Sequence, residues 1–477
     1  MTHAKALPQG LTRRELLCRS GAGFGGLALV HLLASEGLLA SGQERALHPL
    51  AEQPPHFEPK AKAVILLFMD GGPSQVDTFD PKPRLTKEHG QPIKMTVPAT
   101  LFNDNGNVMG SPWEFRKYGK SGTEVSALFP HVATCVDDIA VIRSMRTDNS
   151  EHTAANYMLH TGSALLGRPS MGGWITYGLG SPSEDLPGFV VLDGGQIPPG
   201  GRECFGGGFL PAAYQGTLFR PGLKPITNIE RQELWGEIQN QKLDALRKLN
   251  HGVMGRLGSV TEIDAAVTNY SLAFKMQSAV PALLDIKGES KATLELYGVN
   301  EGETDGFGRQ CLLARRMVER GVRFVQLLTP SAPGGPGRWD HHANLQEGHK
   351  VNARATDKPI AGLLKDLKAR GMLSQTLVVW GGEFGRTPMA QGNDGRDHNP
   401  YGFSMWLAGG GVKSGIVYGA TDEYGYFAIE NKVHTHDLHA TMLHLLGLDH
   451  KKLTFRFGGR DMRLTDVHGE VVHGILA

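Results

Sequence analysis

The chain has 477 residues, of which 40% are hydrophobic and 20% are charged. This composition is ordinary for a globular protein and excludes intrinsic disorder of the chain as a whole. Lysine plus arginine number 49 and aspartate plus glutamate 48, so the net charge of +1 lacks the basic excess typical of a nucleic-acid binder. We therefore expect no nucleic-acid partner. The four cysteines are too widely spaced to indicate a disulfide framework or a zinc ribbon.

The N-terminus has the layout of an export signal. Arg13-Arg14 precede an apolar stretch at 21–34, and small residues at 40–42 suit a cleavage site. An apolar stretch of this length that includes a histidine is too short for a stable membrane span, and a retained anchor is the alternative. We therefore predict a signal at 1–42 that resembles the twin-arginine type and directs the protein to the bacterial periplasm.

After a linker predicted at 43–60, the body of the chain, residues 61–477, alternates strand-like and helix-like segments. Short, continuously apolar runs between turn residues are typical of buried central strands. The predicted strands are 63–69, 139–142, 322–328, 377–380 and 403–408.

Helical periodicity fills the intervals between these strands. Pro359 suits the first turn of a helix that Gly371 would end, and Asp437 can cap a last helix that Gly447 ends. The alternation predicts an α/β fold, a three-layer αβα sandwich, in which the Gly-rich and then helical segment at about 194–300 is an insertion or cap. The predicted helices are 234–249, 262–278, 310–320, 359–370 and the one that Asp437 begins.

Acidic and histidine side chains follow the predicted strands. In an open α/β sheet, ligands bind beyond the carboxyl ends of the strands, so groups in these loops can meet at one edge. A mixture of carboxylates and imidazoles suits zinc or manganese better than magnesium or calcium. The candidates are Asp70, Ser150, His152, Asp340, His341, His342, Glu383, Asp397 and His398.

Each candidate also has an ordinary structural interpretation. An aspartate after a strand is often a turn residue or a helix cap, and the run from Asp340 to His342 can belong to a surface loop. Ser150, followed by Thr153 and an apolar stretch, suits a helix N-cap. The sequence leaves both interpretations of Ser150 open, because a nucleophile at a helix N-terminus also benefits from the helix dipole.

Four segments resemble parts of the alkaline phosphatase superfamily, which includes sulfatases and cofactor-independent phosphoglycerate mutases. Val64–Gly72 is similar to the superfamily's opening strand, and Asn149–His152 to the nucleophile loop of the mutases. His398–Pro400 is similar to the late histidine segment that closes the metal site. Asp437–Gly447 resembles the C-terminal helix, whose apolar stripe indicates a structural role.

A closer resemblance is to the bacterial domain of unknown function 1501 (DUF1501) family. It rests on the twin-arginine start, Trp380–Pro388, Gly395–Asn399 and Thr421–Glu423. The most specific part is Glu-Phe-Gly-Arg-Thr at 383–387, and the resemblance covers nearly the whole chain from about residue 12. It implies a core like that of alkaline phosphatase but no particular substrate.

The superfamily resemblance implies roles for individual residues. It places metal ligands at Asp70, at Asp340 with His341 or His342, and at His398, and it places the nucleophile at Ser150. The chain departs from the superfamily in the fourth loop, where Glu383 stands without the usual adjacent histidine. One nitrogen ligand is then lost unless His152 or Asp397 compensates, and a weaker, different or degenerate metal site is the alternative.

Two further features bear on the substrate. Arg386 would hold an anionic ester through two hydrogen bonds. No cysteine has the setting that formylglycine sulfatases need, because Cys311 is followed by Arg315 at the right spacing but lacks the intervening proline.

The sequence thus predicts an exported, metal-dependent hydrolase of phosphate or sulfate esters, in which Ser150, His152 and Arg386 act on a small anionic ester or on a sulfated or phosphorylated glycan. The alternative is a catalytically degenerate protein with the alkaline phosphatase fold that binds an anionic glycan or a protein partner in the same cleft.

Overall fold

The computed structural model describes residues 49–222, 225–227, 229, 238–239, 241–246, 248–249, 261–331 and 337–477. The export signal predicted at 1–42 lies outside these residues, as do the start of the predicted linker and part of the helix predicted at 234–249. Among the described helices, none is both long enough and apolar enough to cross a membrane.

A nine-stranded sheet forms the centre of the described part of the chain. Its order is β8-β2-β7-β6-β1-β5-β3-β4, and β9 pairs with β2 beside β8. β7 runs antiparallel to β2 and β6, and the other pairs are parallel. The strands are β1 (Ala63–Phe68), β2 (Ile139–Arg146), β3 (Phe189–Leu192), β4 (Thr217–Phe219), β5 (Phe324–Leu328), β6 (Thr376–Gly381), β7 (Phe403–Ala408), β8 (Ile416–Tyr418) and β9 (Val433–His434).

Helices cover both faces of this sheet. They are α1 (Gln75–Thr78), α2 (Pro83–Lys87), α3 (His152–Thr161), α4 (Met171–Leu179), α5 (Thr261–Leu284), α6 (Lys291–Leu296), α7 (Asp305–Glu319), α8 (Leu345–Ala369) and α9 (Thr435–Leu445). Short hairpins lie outside the sheet at 115–126, 385–399, 420–430 and 455–462.

Two hydrophobic cores, one on each face, define the three layers. Ile65 and Leu67 of β1 belong to a core that also contains apolar side chains of α5, α7 and α8. Val64 and Leu66 belong to a second core with side chains of α4 and α9. Because successive strand residues point to opposite faces, the continuous apolar run of β1 contributes to both cores. The predicted three-layer α/β architecture is therefore confirmed.

The sheet topology brings the candidate loops to one edge. β1 pairs in parallel with β5 and β6, and Phe68 lies opposite both Leu328 and Gly381. The loops that follow these strands therefore leave the sheet side by side. Because β7 is antiparallel, its first residue, Phe403, lies at the same edge opposite Met145 of β2.

The five predicted strands are present, but several helix ends differ from prediction, among them the N-terminal ends of α8 and α9. Pro359 lies inside α8 rather than in a first turn, because α8 already begins at Leu345. Asp437 is the third residue of α9, where its carboxylate accepts the backbone N–H of His434; the His434 side chain is the cap. Both differences have the same cause. Each helix begins earlier than predicted, in residues without an obvious apolar stripe, so the sequence gives no helical signal there.

The segment at about 194–300 contributes to the main body in its described parts. β4 extends the sheet beyond β3, and Val280 and Leu283 of α5 are buried in the core on one face. Neither β3 nor β4 was predicted, because each is a short strand flanked by glycine and proline. That the segment is an insertion or cap stays a prediction.

Candidate metal centre

Four side chains that could hold one metal ion converge at the edge described above. They are His152, Asp340, His342 and His398, and the ligand atom that each offers lies within 4.8 Å of the others. His152 is the first residue of α3, Asp340 and His342 lie in the loop between β5 and α8, and His398 precedes β7. The group therefore joins three loops that are distant in sequence.

The three imidazoles present the same nitrogen to Asp340. The Nε2 atoms of His152, His342 and His398 lie 3.1, 2.8 and 3.3 Å from the Asp340 carboxylate oxygens. The Nε2 atoms of His342 and His398 are also only 3.0 Å apart. The buried Nε2 of His152 has no hydrogen bond of acceptable geometry within the described residues. This convergence of nitrogen and oxygen donors is typical of a metal-ligand set.

The other nitrogen of each imidazole faces an oxygen that accepts a hydrogen bond. Such acceptors keep the proton on Nδ1 and leave the Nε2 lone pair free for a metal ion. The acceptors are Oε1 of Glu383 for His152, at 2.6 Å, Oε1 of Gln391 for His342, and the carbonyl oxygen of Ser150 for His398, at 2.5 Å. The donor set therefore fits a divalent ion that accepts nitrogen ligands, such as zinc or manganese.

Electrostatics of the centre favour a positive charge. Burial works against protonation of His152, but the neighbouring carboxylates of Asp340 and Glu383 outweigh it and raise its pKa to about 9. Burial would raise the pKa of Asp340, yet the three histidines and Arg386 hold it well below its usual range. Burial lowers the pKa of His398. Asp340 thus stays ionised, and the carboxylates of Asp340 and Glu383 favour a positive charge at His152.

Arg386 anchors Asp340 from behind. The guanidinium is fully buried, and its Nη2 lies 2.7 Å from Asp340 Oδ1. Its remaining donors reach the carbonyl oxygens of Gly71, Gly72 and Arg396. Because each side-chain nitrogen is already engaged with the protein, the geometry assigns Arg386 to positioning Asp340. The role predicted from sequence, direct contact with an anionic ester, would need those hydrogen bonds to be given up.

Two further carboxylates lie beside the four-residue group. Glu383 is buried, and both of its oxygens accept the backbone N–H of Gly71, at 3.0 and 3.2 Å. Asp70 Oδ2 is paired with Arg338 Nε at 2.7 Å, while Asp70 Oδ1 is buried without a hydrogen-bond partner among the described residues. Burial and the nearby Glu383 raise the pKa of Asp70 to about 7. Glu383 therefore orients a ligand, and Asp70 occupies the rim of the centre.

Like Asp70 and Glu383, two other predicted ligands, His341 and Asp397, lie outside the four-residue group. His341 points away from Asp340 and places its Nδ1 3.0 Å from Nδ1 of His349, as expected when neighbouring residues of an extended loop face opposite sides. Asp397 accepts the backbone N–H groups of His398 and Phe102, at 2.7 and 3.2 Å. Its carboxylate therefore shapes the loop that carries His398.

Ser150 lies at the margin of the centre, and its predicted capping role is wrong. The cap of α3 is Glu151, whose carboxylate oxygens accept the backbone N–H groups of Thr153 and Ala154 at 2.9 and 3.0 Å. The contact that Ser150 makes with the centre is through its carbonyl oxygen, which orients His398. The role of its hydroxyl as nucleophile stays a prediction.

Sequence reasoning missed two residues that shape the centre. Gln391 lies in a turn and orients His342, and Arg338 lies in the loop before Asp340 and neutralises Asp70. Neither position carries a local pattern that marks it, because its partner is distant in the sequence. The sequence indicated Glu383 as a candidate, but its role in orienting His152 rests on a contact between residues 231 positions apart.

Comparison with known proteins places the chain in a family. The sequence model of DUF1501, described as a protein of unknown function, matches residues 61–476. The chain belongs to the DUF1501 family. No curated protein matches it. The resemblance seen in the Glu-Phe-Gly-Arg-Thr segment is thereby confirmed.

Several solved structures are similar in fold to this DUF1501 protein. The PsFucS1 sulfatase from Pseudoalteromonas sp. is 13% identical, with 87% of this chain and 72% of that chain covered and a TM-score of 0.36. The phosphonate monoester hydrolase SpPMH from Silicibacter pomeroyi is 12% identical, with 67% of this chain and 68% of that chain covered and a TM-score of 0.33. The lipoteichoic acid synthase LtaP from Listeria monocytogenes is 8% identical, with 90% of this chain and 80% of that chain covered and a TM-score of 0.35. At these identities the similarity concerns the fold alone.

Proposed function

We propose that this DUF1501 protein is an exported, metal-dependent hydrolase of phosphate or sulfate esters. The observation that carries the proposal is the arrangement of His152, His342 and His398, each of which turns Nε2 toward Asp340 while Nδ1 donates to a fixed oxygen. A structural ion pair alone would not need three imidazoles with matching orientation. Catalytic and structural metal ligands are commonly oriented in this way.

The donor set favours zinc or manganese as the ion. Three imidazole nitrogens and one carboxylate suit these metals, whereas magnesium and calcium prefer oxygen ligands. When bound, such an ion supplies Lewis-acid chemistry, which polarises an ester and lowers the pKa of a coordinated hydroxyl or water. The residues that would hold it are His152, Asp340, His342 and His398.

The remaining residues position these ligands. Glu383 accepts the Nδ1 proton of His152, and Gln391 does the same for His342. Arg386 holds Asp340 in place through its Nη2 donor. We assign the nucleophilic attack to the Ser150 hydroxyl, because this residue immediately precedes the cap of α3 and its carbonyl oxygen touches His398. The substrate would be a small anionic ester or a sulfated or phosphorylated glycan.

Metal analysis with matched histidine variants tests the centre. We expect the purified chain without residues 1–42 to hold about one equivalent of zinc or manganese by elemental mass spectrometry. His342→Ala should lose the metal, whereas the control His341→Ala should retain it, because His341 faces His349 instead of Asp340. Circular dichroism checks that both variants fold.

Turnover of 4-nitrophenyl phosphate and 4-nitrophenyl sulfate by the metal-loaded protein tests the reaction. We expect hydrolysis of one of them and its loss in His342→Ala. A protein that binds the metal but hydrolyses neither ester would favour the alternative, a catalytically degenerate binding protein. Failure to bind zinc or manganese after reconstitution would contradict the hydrolase proposal.

Export is a separate part of the proposal and rests on Arg13-Arg14 and the apolar stretch at 21–34. We expect a reporter fused behind residues 1–42 to reach the periplasm of a bacterial host. Replacement of both arginines by lysine should keep the reporter in the cytoplasm, since the charge is retained and the paired guanidinium groups are lost. Cell fractionation measures the outcome, and unchanged export of the lysine variant would contradict a twin-arginine route.

A further inference from the structure

A cavity lies against α8, the helix that follows the loop of Asp340 and His342. Its volume is about 400 Å³, and its wall includes Trp113, His131, Lys350, Arg354 and Lys358. None of these residues belongs to the four-residue metal group. The three cationic side chains share one face of α8, because residues four positions apart lie one above the other on a helix.

The cationic side chains are only partly neutralised. Lys350 lies 3.5 Å from Glu347, in an exposed pair of little energetic weight, and Lys358 is paired with Glu301. Arg354 is exposed and makes no ion pair with any described residue. An arginine with five donors and no carboxylate partner at the wall of a cavity is well suited to bind a sulfate or phosphate group.

One carboxylate also lines the cavity, but it faces the protein. The oxygens of Asp357 accept the backbone N–H groups of His131 and Val132, at 2.8 and 2.7 Å, and burial raises its pKa to about 7. The pKa of His131 is lowered by burial and by the positive charges of Lys358 and Lys365. Apart from Asp357, the charged side chains that line the cavity are cationic.

Trp113 supplies an apolar wall of the cavity and contacts a pair of histidines that lies next to the metal group in the chain. The Trp113 side chain is half-buried, and its ring stacks on the His349 ring with centroids 6.2 Å apart. His349 in turn contacts His341, which lies between the metal-group residues Asp340 and His342 in the chain. A tryptophan face beside cationic side chains is a suitable surface for a sugar ring that carries an anionic group.

We propose that this cavity binds an anionic sugar unit of a sulfated or phosphorylated glycan, with Arg354 and Lys350 contacting the anionic group and Trp113 stacking on the ring. The cavity is a binding subsite, distinct from the metal group, that would hold one unit of the glycan while another reaches Asp340. This assignment deepens the proposed function and depends on it for the cleavage step. Binding in the cavity does not depend on the metal.

The test measures binding of defined probes to the chain without residues 1–42, both loaded with zinc and stripped of metal by EDTA. The probes are dextran sulfate, phosphorylated dextran and neutral dextran of equal chain length, titrated by calorimetry at fixed ionic strength. We expect either anionic dextran to bind with and without metal, and neutral dextran to bind much more weakly. The stronger of the two anionic probes identifies the preferred group.

Charge-reversal variants locate the binding. Arg354→Glu should weaken binding of the anionic dextran by about tenfold, since an attractive charge becomes a repulsive one. Lys350→Glu serves as a second variant in the same cavity. Arg456→Glu is the control and makes the same charge change. Arg456 pairs with Asp461 on an exposed hairpin beside the core formed with α4 and α9, so this variant should leave binding of the anionic dextran unchanged.

Three outcomes would overturn the assignment of the cavity, and a fourth would contradict the hydrolase alone. Equal affinities of the wild type, Arg354→Glu and Lys350→Glu would show that the cavity is not the binding site. Equal binding of neutral and anionic dextran would exclude recognition of the anionic group. Binding that disappears with EDTA would place the glycan at the metal group alone. A chain that binds anionic dextran through Arg354 but hydrolyses no ester would retain the subsite and contradict the hydrolase.

Quenching of tryptophan fluorescence gives an independent measure of ring stacking. The chain has six tryptophans, and we expect part of the quenching by the anionic dextran to be lost in Trp113→Phe. Phenylalanine keeps an aromatic side chain in the core contact that Trp113 makes, so the fold should be retained. Quenching that is identical in Trp113→Phe would contradict stacking on Trp113.

Discussion

His152, His342 and His398 show how single hydrogen bonds prepare a metal ligand. The acceptors of the three Nδ1 protons are a carboxylate, an amide oxygen and a backbone carbonyl, so the same tautomer is reached by three kinds of residue. This variety explains why the orienting residues could not be found by pattern. A search for acidic residues finds Glu383, but passes over Gln391 and the carbonyl of Ser150.

Ser150→Ala separates the two roles of this residue. The backbone carbonyl that orients His398 is retained in alanine, so we expect metal content to stay unchanged. If the hydroxyl is the nucleophile, kcat for the aryl ester should fall by about a hundredfold or more. Elemental analysis and steady-state kinetics on the same preparation make the comparison. Unchanged kcat would assign the nucleophile to a different group.

Gly71 allows the loop after β1 to approach the loop that carries Asp340. Its φ is +101°, and a Cβ at this position would lie 2.6 Å from the Asp340 nitrogen and 2.7 Å from the Trp339 nitrogen. Gly71→Ala should therefore displace Asp340, weaken metal binding and lower the free energy of unfolding by about 2 kcal/mol or more. Urea unfolding and a metal competition titration measure the two effects.

Gly90→Ala is the matched control for Gly71→Ala. Gly90 also has a positive φ, of +78°, but a Cβ there would meet no atom within 4 Å. Only the backbone penalty of about 1–2 kcal/mol should remain, with metal affinity unchanged. Equal metal affinities in the two variants would show that close packing of Gly71 does not fix Asp340.

At the scale of elements, α3 links helix capping to the metal centre. Glu151 caps the helix whose first residue is the ligand His152. We expect Glu151→Ala to cost about 1 kcal/mol of stability and to weaken metal binding, because fraying of the first turn moves His152. Glu151→Asp should restore both, since aspartate is a favourable N-cap. Urea unfolding measures the stability of each variant, and a parallel metal titration measures its metal affinity. Full metal affinity in Glu151→Ala would contradict the link between the helix cap and the position of His152.

The helices also show where local patterns mislead. The sequence around Pro359 predicts a helix start, since proline suits a first turn, but α8 begins at Leu345 and includes Pro359 in its interior. The preceding residues are largely polar, yet they carry His349 and Asn352, which are buried against the loop of residues 337–341. Tertiary contacts of polar side chains thus extend the helix beyond its apolar stripe.

At the scale of the whole molecule, the metal group ties together distant segments. Its ligands come from position 152, from positions 340 and 342, and from position 398. An ion bound to the folded chain and not to the unfolded chain stabilises the fold by about 4 kcal/mol when its concentration is about a thousand times the Kd. We therefore expect zinc to raise the unfolding temperature and EDTA to lower it, as measured by scanning calorimetry.

His342→Ala provides the control for this stabilisation. It removes one ligand and leaves the two hydrophobic cores intact, because His342 belongs to neither. Its unfolding temperature should be insensitive to zinc and EDTA. A zinc-dependent shift of equal size in His342→Ala would indicate that the ion binds elsewhere in the chain.

The sequence by itself determined the layers of this protein and the loops that carry its chemistry. Continuous apolar runs such as 63–69 specify strands buried on both faces, and residues that follow such strands must lie at one edge of a parallel sheet. Asp340 could be selected on that ground alone. His398, which precedes the strand predicted at 403–408, was selected through the resemblance to a late histidine segment, and the Glu-Phe-Gly-Arg-Thr segment was sufficient to indicate the family.

Only the tertiary structure decided which of these residues meet. His342 turns toward Asp340 while its neighbour His341 turns toward His349, and no local pattern distinguishes the two. Arg386 appears free in the sequence but is enclosed by carbonyl oxygens and Asp340. The physical reason is that side-chain direction and hydrogen-bond partners depend on segments that lie up to about 300 positions away and come together only when the sheet is assembled.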